Sequence, residues 1–525
     1  MPVDRLAPLA STPVPAFDGL ARPAVIFGLI ALYLIGHFTL RLMLSPTLGI
    51  DDAEQILFAQ HWDFGYRFRQ PPLFTWLLLP VVELIGPGVL AISLVRYGLL
   101  AVTFAFYYLT ARLCLRDQRL AGLAVLSLAS IYVFAYYAHH DLTHTTALGA
   151  MIALALYVTA YLARHPSWTT YAVAGLVVGL GMLAKWNFAM LAVGLPLACL
   201  LHPGLRRLVL TPRILVTIGV MAVVLTPTAL WMFAHGQSIE GLSSDILSQD
   251  DGKTGRVTLW LDGAGALLRS ILLFPEPFLP IFLLVFGRSL HAGIHASTRD
   301  SRTATALPPA FFGSLMLIML ALHALLIPLF GAVNFTERWL HPALMSLPIY
   351  LFALAERGCI TKRQIALYLA TIAILVAAAA GGRLYRFAEG ADDCGSCREF
   401  APFAELAEDL RAAGFSNGTI VADGMHIGGN LKMLFAESRV IDPAFPRALW
   451  PDADEPEACL LVWRDDGQAS GARRDRIRDY AVTELGLARA APSETGRIEA
   501  PLLGSSGRRY ALGFELYREN AGGCR

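Results

Sequence analysis

Long apolar blocks, rather than strand-like alternation, dominate the first 381 residues. A bilayer crossing needs roughly 17–25 predominantly apolar residues, and eleven segments qualify: 23–44, 89–111, 120–138, 142–163, 168–184, 187–202, 213–234, 262–287, 310–331, 340–356 and 364–381. After residue 382 the pattern changes. Residues 400–414, 425–435 and 472–486 read as helices, while 418–422, "RVI", "ACLLVW" and "RYALGFELYR" read as strands. Such alternation predicts a small α/β domain. The expected architecture is an all-α polytopic membrane protein with about eleven transmembrane helices and a C-terminal α/β domain. Its parts are a tail (1–22), a membrane domain (23–381) and an outer domain (382–525).

Charge placement assigns sides to these spans. Arg112, Arg116 and Arg119; Arg164; Arg206, Arg207 and Arg213; Arg288, Arg299 and Arg302; and Arg357, Lys362 and Arg363 fall in alternate loops. The preference of basic residues for the cytoplasmic side puts those loops and the N-terminus inside. An odd number of spans then leaves 382–525 outside. The N-terminal stretch lacks a basic region, short apolar run and cleavage site in the order of a signal peptide, so it reads as a disordered cytoplasmic tail before a retained anchor. The composition agrees: 55% hydrophobic, 16% charged and a mean hydropathy of +0.53. A formal net charge of +1 gives no electrostatic case for nucleic acid.

The opposite loops carry the candidate chemistry. They hold Asp51, Asp52, Glu54 and Arg69; His139, His140 and Asp141; Lys185; and Glu337 and Arg338. Each alone reads as a solvated or snorkelling charge. Together, beside hydrocarbon where unpaired charge is costly, they predict one shared site. "DDAEQILFAQHW" predicts a short helix lying flat on the membrane, with Ile56, Leu57, Ala59 and Trp62 downward and its acids at the positive end of the helix dipole. A capping box between Asp51 and Glu54 accounts for two acids and leaves Asp52 over. Adjacent like charges raise one carboxyl pKa, which suits a general base. Pro71–Pro72 then turns the loop 45–88 back toward the membrane. The polar loop 235–262 reads equally as a mobile flap over the site or an exposed linker. His139, His140, His144 and His341 raise the question of a metal, since His140 and His144 lie one helical turn apart near Asp141. Hydrogen-bonded interfacial histidines are the preferred reading, so no metal ligands are assigned.

The order of motifs carries a resemblance. An acidic pair follows the first span, then "RQPPLFTW", then "HHDLTHTTALGAMIALALY", "GLGMLAKWNFAML" and "NFTERWLHPALMSLPIYLF". Over roughly residues 23–381 this resembles the bacterial GT-C glycosyltransferases that use polyprenyl-phosphate sugars. It is most similar to the aminoarabinose and galacturonic acid transferases of lipopolysaccharide and more distantly similar to protein O-mannosyltransferases. The tail, with "CGSCREFAPFAELAEDLRAAGF" and "GGNLKMLF", resembles C-terminal domains of rhizobial-type enzymes.

The resemblance implies an inverting transferase at the periplasmic face of the bacterial inner membrane. Its donor is a polyprenyl-phosphate-linked sugar, with galacturonic acid or an aminoarabinose-like sugar favoured, and its acceptor a lipid or lipopolysaccharide. A monomer is expected. Asp51 matches the catalytic aspartate and Asp141 the second functional acid, with Lys185, Arg338 and Arg69 on the donor phosphate. Asp52, Glu54, Glu337 and His140 support them, and Asp52 stands where the family usually has glutamate. No cofactor is required, although an accessory divalent metal fits the family. A protein acceptor, or a transporter or flippase, are the alternatives; a transporter would call for internal repeats and broken helices at mid-membrane, which the sequence lacks. In an oxidising periplasm Cys394, Cys397, Cys459 and Cys524 form disulfides, with Cys394–Cys397 and Cys459–Cys524 one of three connectivities. The outer domain is expected to aid acceptor binding or stability.

Overall fold

The computed structural model describes residues 15–67, 69–235, 255–296, 305–395, 397–452, 458–467, 469–489, 491–505, 507–518 and 524. The tail 1–14, most of the loop 235–262, and Arg299 and Arg302, expected on the cytoplasmic side, lie outside the described residues.

The membrane part is helical: α1 (Pro23–Leu44), α2 (Ile50–Phe58), α3 (Leu73–Ile85), α4 (Val89–Cys114), α5 (Gln118–Leu126), α6 (His144–Arg164), α7 (Trp168–Ala184), α8 (Phe188–Leu201), α9 (Ile214–Ala234), α10 (Arg256–Leu273), α11 (Phe278–His295), α12 (Pro309–Phe330), α13 (Leu347–Ala355) and α14 (Lys362–Asp393). Among the described residues seven helices, α1, α4, α6, α9, α11, α12 and α14, are long and apolar enough to cross a membrane, and α3, α7 and α8 are shorter apolar helices. The chain is a multi-pass membrane protein.

Three expected spans are broken, each with a visible cause. The 262–287 segment divides at Pro275 and Pro277, which cannot continue a helix interior. The 120–138 segment ends its α-helix at Leu126 and continues in 3₁₀ and short helical turns, where Ser127 and Ser130 bond back to the carbonyls of Leu123 and Ser127. The 340–356 segment starts as two short turns before α13. Within the expected loop 45–88, "LFTWLLLPVVELI" forms α3, whose 13 residues fall below a span-length threshold. Residues 382–393 continue α14 rather than opening the outer domain.

The C-terminal domain adds α15 (Phe403–Ala412), α16 (Met425–Leu434) and α17 (Ser470–Glu484) to a five-stranded sheet. Its strands β1 (Thr419–Ala422), β2 (Arg439–Ile441), β3 (Cys459–Arg464), β4 (Glu494–Pro501) and β5 (Arg509–Tyr517) run in the order β2-β1-β3-β5-β4. β1 is parallel to β2 and β3, and β5 is antiparallel to β3 and β4. Exposed, polar "ETGRIEAP" forms the edge strand β4, which sequence alternation did not predict. The disulfides are Cys394–Cys397 and Cys459–Cys524.

This domain is clamped onto the membrane part through α2. Asn430 of α16 accepts from Leu48 N at 2.9 Å and donates to Leu48 O at 3.3 Å. Gln60 donates to Val440 O at 2.9 Å and accepts from Val440 N at 2.8 Å, so one amide side chain extends the edge strand β2. A Cβ at Gly429 would collide with the backbone of Ala53, so only glycine allows α16 to approach α2 this closely. Residues Asp52–Phe58 are accordingly buried. The expectation of a helix lying flat on the membrane is corrected: protein, not lipid, covers its apolar face, and Trp62 lies beyond its end, exposed.

Candidate active site

Helical spacing sorts the three acids of α2. Residues three apart share a face, whereas adjacent ones diverge by about 100°. Asp51 and Glu54 therefore both line one cavity of about 660 Å³, while Asp52 points away from it into the bundle.

Asp52 is fully buried and pairs there with Arg96 of α4; Arg41 of α1 approaches its second oxygen at 3.9 Å. The second aspartate thus anchors α2 to two membrane helices. The capping box is a further correction. The N-cap of α2 is Gly49, with no side-chain cap, and Glu54 bonds elsewhere. Asp141 supplies the cap instead: its carboxylate accepts from Ile50 N at 3.2 Å and Asp51 N at 3.1 Å. A Cβ at residue 49 would overlap that carboxylate, which is why a glycine stands there. Asp141 does not line the cavity; it holds the backbone that carries Asp51.

The cavity that Asp51 lines is also lined by Lys185, at the C-terminal end of α7, and Arg338, in a 3₁₀ turn over Glu337–Leu340. Burial and the negative Asp52 push the Asp51 carboxyl upward, against the pull of Arg338 and Lys185. Lys185 donates to Thr145 Oγ1 at 3.0 Å. Its ammonium is pushed down to about 8 by burial and by the like charges of Arg338 and Arg69, with Asp51 opposing. Glu54 accepts from Arg67 Nη1 at 2.7 Å, and burial lifts it to about 7 despite that arginine. Exposed Arg69 makes no hydrogen bond or ion pair among the described residues.

Of the predicted residues, then, Asp51, Glu54, Arg69, Lys185 and Arg338 share the cavity. Glu337 does not line it, and His140 bonds Glu399 at 2.7 Å beside the Arg386–Glu399 pair. The histidines considered for a metal are dispersed. His139 stacks on His37 with ring centroids 3.9 Å apart, His144 bonds Gln55 at 3.0 Å, and His341 packs against Phe134 and Phe274. Among the described residues no three His, Cys, Asp or Glu side chains gather closely enough to hold a metal. Sequence reasoning missed Arg67, whose place in "YRFRQ" beside Arg69 was a usable signal, and Asn187, Trp339 and Met425, which also line the cavity.

Comparisons with known proteins fit this arrangement. The family described as dolichyl-phosphate-mannose-protein mannosyltransferase matches residues 69–231. The lipopolysaccharide core galacturonosyltransferases RgtA and RgtB of Rhizobium johnstonii are 30% and 29% identical to this chain, each alignment covering 93% of it and 96% of the relative. The chain belongs to their glycosyltransferase family. The crystal structure of ArnT from Cupriavidus metallidurans bound to undecaprenyl phosphate superposes with a TM-score of 0.59 at 14% identity, covering 93% of this chain and 97% of that one. Its apo form gives 0.57 at 15% identity, covering 96% and 99%. The shared fold is GT-C, and this member of the family is a glycosyltransferase whose acids and cations meet in one cavity.

Proposed function

We propose that this transferase moves galacturonate from a polyprenyl-phosphate donor to a lipid or lipopolysaccharide hydroxyl at the periplasmic face of the inner membrane. The observation that carries the reading is Asp51 standing in one cavity with Lys185 and Arg338. Asp51 takes the proton of the acceptor hydroxyl as its oxygen bonds to the anomeric carbon. The bond from that carbon to the phosphate oxygen breaks, and its electron pair leaves with the phosphate. Lys185, a point charge, and Arg338, a planar fork, stabilise the leaving anion. One displacement inverts the anomeric centre. Asp141 acts through the backbone of Asp51, as a positioning residue.

The cavity's charge supports the sugar class. Arg67, Arg69, Lys185 and Arg338 stand against Asp51 and Glu54, a formal excess of two positive charges with both acids ionised. A donor bearing a phosphodiester and a uronate brings two negative charges, whereas an amino sugar on the same phosphodiester is neutral. The lipopolysaccharide core activity of RgtA and RgtB supports the same choice of sugar and acceptor.

The test is reconstitution of the purified protein in liposomes with polyprenyl-phosphate galacturonate and lipopolysaccharide. Mass spectrometry should find one added hexuronate per transfer, and NMR of the product an inverted anomeric configuration. No transfer to any lipid acceptor would overturn the reading.

A further inference from the structure

The cavity holds two charged groups of residues, and the mechanism uses only one. Asp51 faces Lys185 and Arg338. The other comprises Glu54, Arg67 and Arg69, brought to the cavity by α2 and the segment before Pro71–Pro72. Within it Arg67 is engaged, since Glu54 accepts from it at 2.7 Å. Arg69 is not: it is exposed, lines the cavity and has no ion pair or hydrogen bond among the described residues. Sequence position alone assigns Arg69 to the donor phosphate. Arg67 and Arg69 both act on Glu54 and neither is among the charges that act most on Asp51, although Arg69 also bears on Lys185.

We propose that Arg69, steadied by the Arg67–Glu54 pair beside it, reads the C6 carboxylate of the donor sugar and selects a uronate over the neutral hexose. This rests on the polyprenyl-phosphate transferase reading above. A donor fixed by its phosphate at Lys185 and Arg338 presents its anomeric carbon to the acceptor activated by Asp51. The pyranose ring then projects past Asp51, and its carboxylate, one ring's width from the phosphate, falls to the second group. An unengaged guanidinium takes a carboxylate through two parallel N–H···O bonds. Glu54 serves as a gauge of charge there. It holds Arg67 in place and leaves one positive charge over, so one carboxylate neutralises the group and a hydroxymethyl does not.

The experiment compares polyprenyl-phosphate galacturonate with polyprenyl-phosphate galactose in the same liposomes, reading kcat/KM for each donor. The wild type should prefer the uronate. Arg69→Gln should lower the ratio of uronate to galactose transfer about 10- to 100-fold, the range for losing hydrogen bonding to a charged group. Arg69→Lys should restore part of it, and Lys185→Ala should depress both donors alike. Arg69 is exposed and makes no ion pair or hydrogen bond among the described residues, so these variants should fold. An unchanged ratio in Arg69→Gln, or equal use of both donors by the wild type, overturns the assignment of Arg69 while the transferase reading stands. Transfer from neither donor by the wild type overturns both.

Discussion

Lys185 gives the sharpest test of the site because its charge is held in place at a cost. Burial and the neighbouring arginines bring its ammonium from 10.5 to about 8. At ~1.4 kcal/mol per unit, these surroundings oppose the charged form by ~3 kcal/mol relative to water. Above pH 8 the free enzyme therefore loses the cation meant for the donor phosphate, and kcat/KM for the donor should fall about tenfold per pH unit. A bound phosphate favours the charged lysine, so kcat measured at saturating donor should hold to higher pH than kcat/KM. Arginine stays charged through this range, and Lys185→Arg should carry the alkaline limb upward even if its activity at pH 7 is lower. The assay is initial-rate transfer in liposomes from pH 6 to 10, with unfolding followed in parallel to exclude loss of structure. A wild-type limb lying near 10, or an identical limb in Lys185→Arg, would refute the reasoning.

Asp51→Asn should fold and bind donor as the wild type does while transfer falls about 10²- to 10⁴-fold, the usual contribution of a positioned base; near wild-type turnover would remove Asp51 from that role. Arg96→Met strands the buried Asp52 carboxylate and should cost about 3–5 kcal/mol of stability in detergent, largely recovered by adding Asp52→Asn; an unchanged unfolding midpoint would contradict the anchoring of α2. Asn430→Ala removes both bonds to Leu48. It should lower kcat with little change in donor KM, at a stability cost of ~1–3 kcal/mol; a change confined to stability would make the contact merely structural.

The meeting of Asp51, Lys185 and Arg338 in one cavity was legible because basic loops alternate and apolar blocks are long. Their convergence needed only that topology. The fate of Asp52 was also within reach. Arg41 and Arg96 sit inside apolar runs that become α1 and α4, and a cation there calls for an acid partner. The cap on α2 was not legible. It joins residues 90 positions apart, and Asp–Asp–x–Glu at a helix start imitates a local capping box closely enough to suggest the wrong donor. The burial of α2 was hidden too, since its apolar stripe reads the same whether lipid or a distant helix covers it. Only Gly429, in "GGNLKMLF", marks the close approach, and a lone glycine in a helical pattern has many explanations.

The clamp of Asn430 and Gln60 on either side of α2 joins the two ends of synthesis. The acid that would deprotonate the acceptor is made within the first tenth of the polypeptide, yet Asn430 and Val440, which close over the helix that carries it, emerge only near the end. A ribosome-bound intermediate with every span inserted has α2 held by Arg96 and Asp141 but not yet covered by α16. Competence should thus appear abruptly, late in biogenesis, once the last domain has folded and closed over the helix.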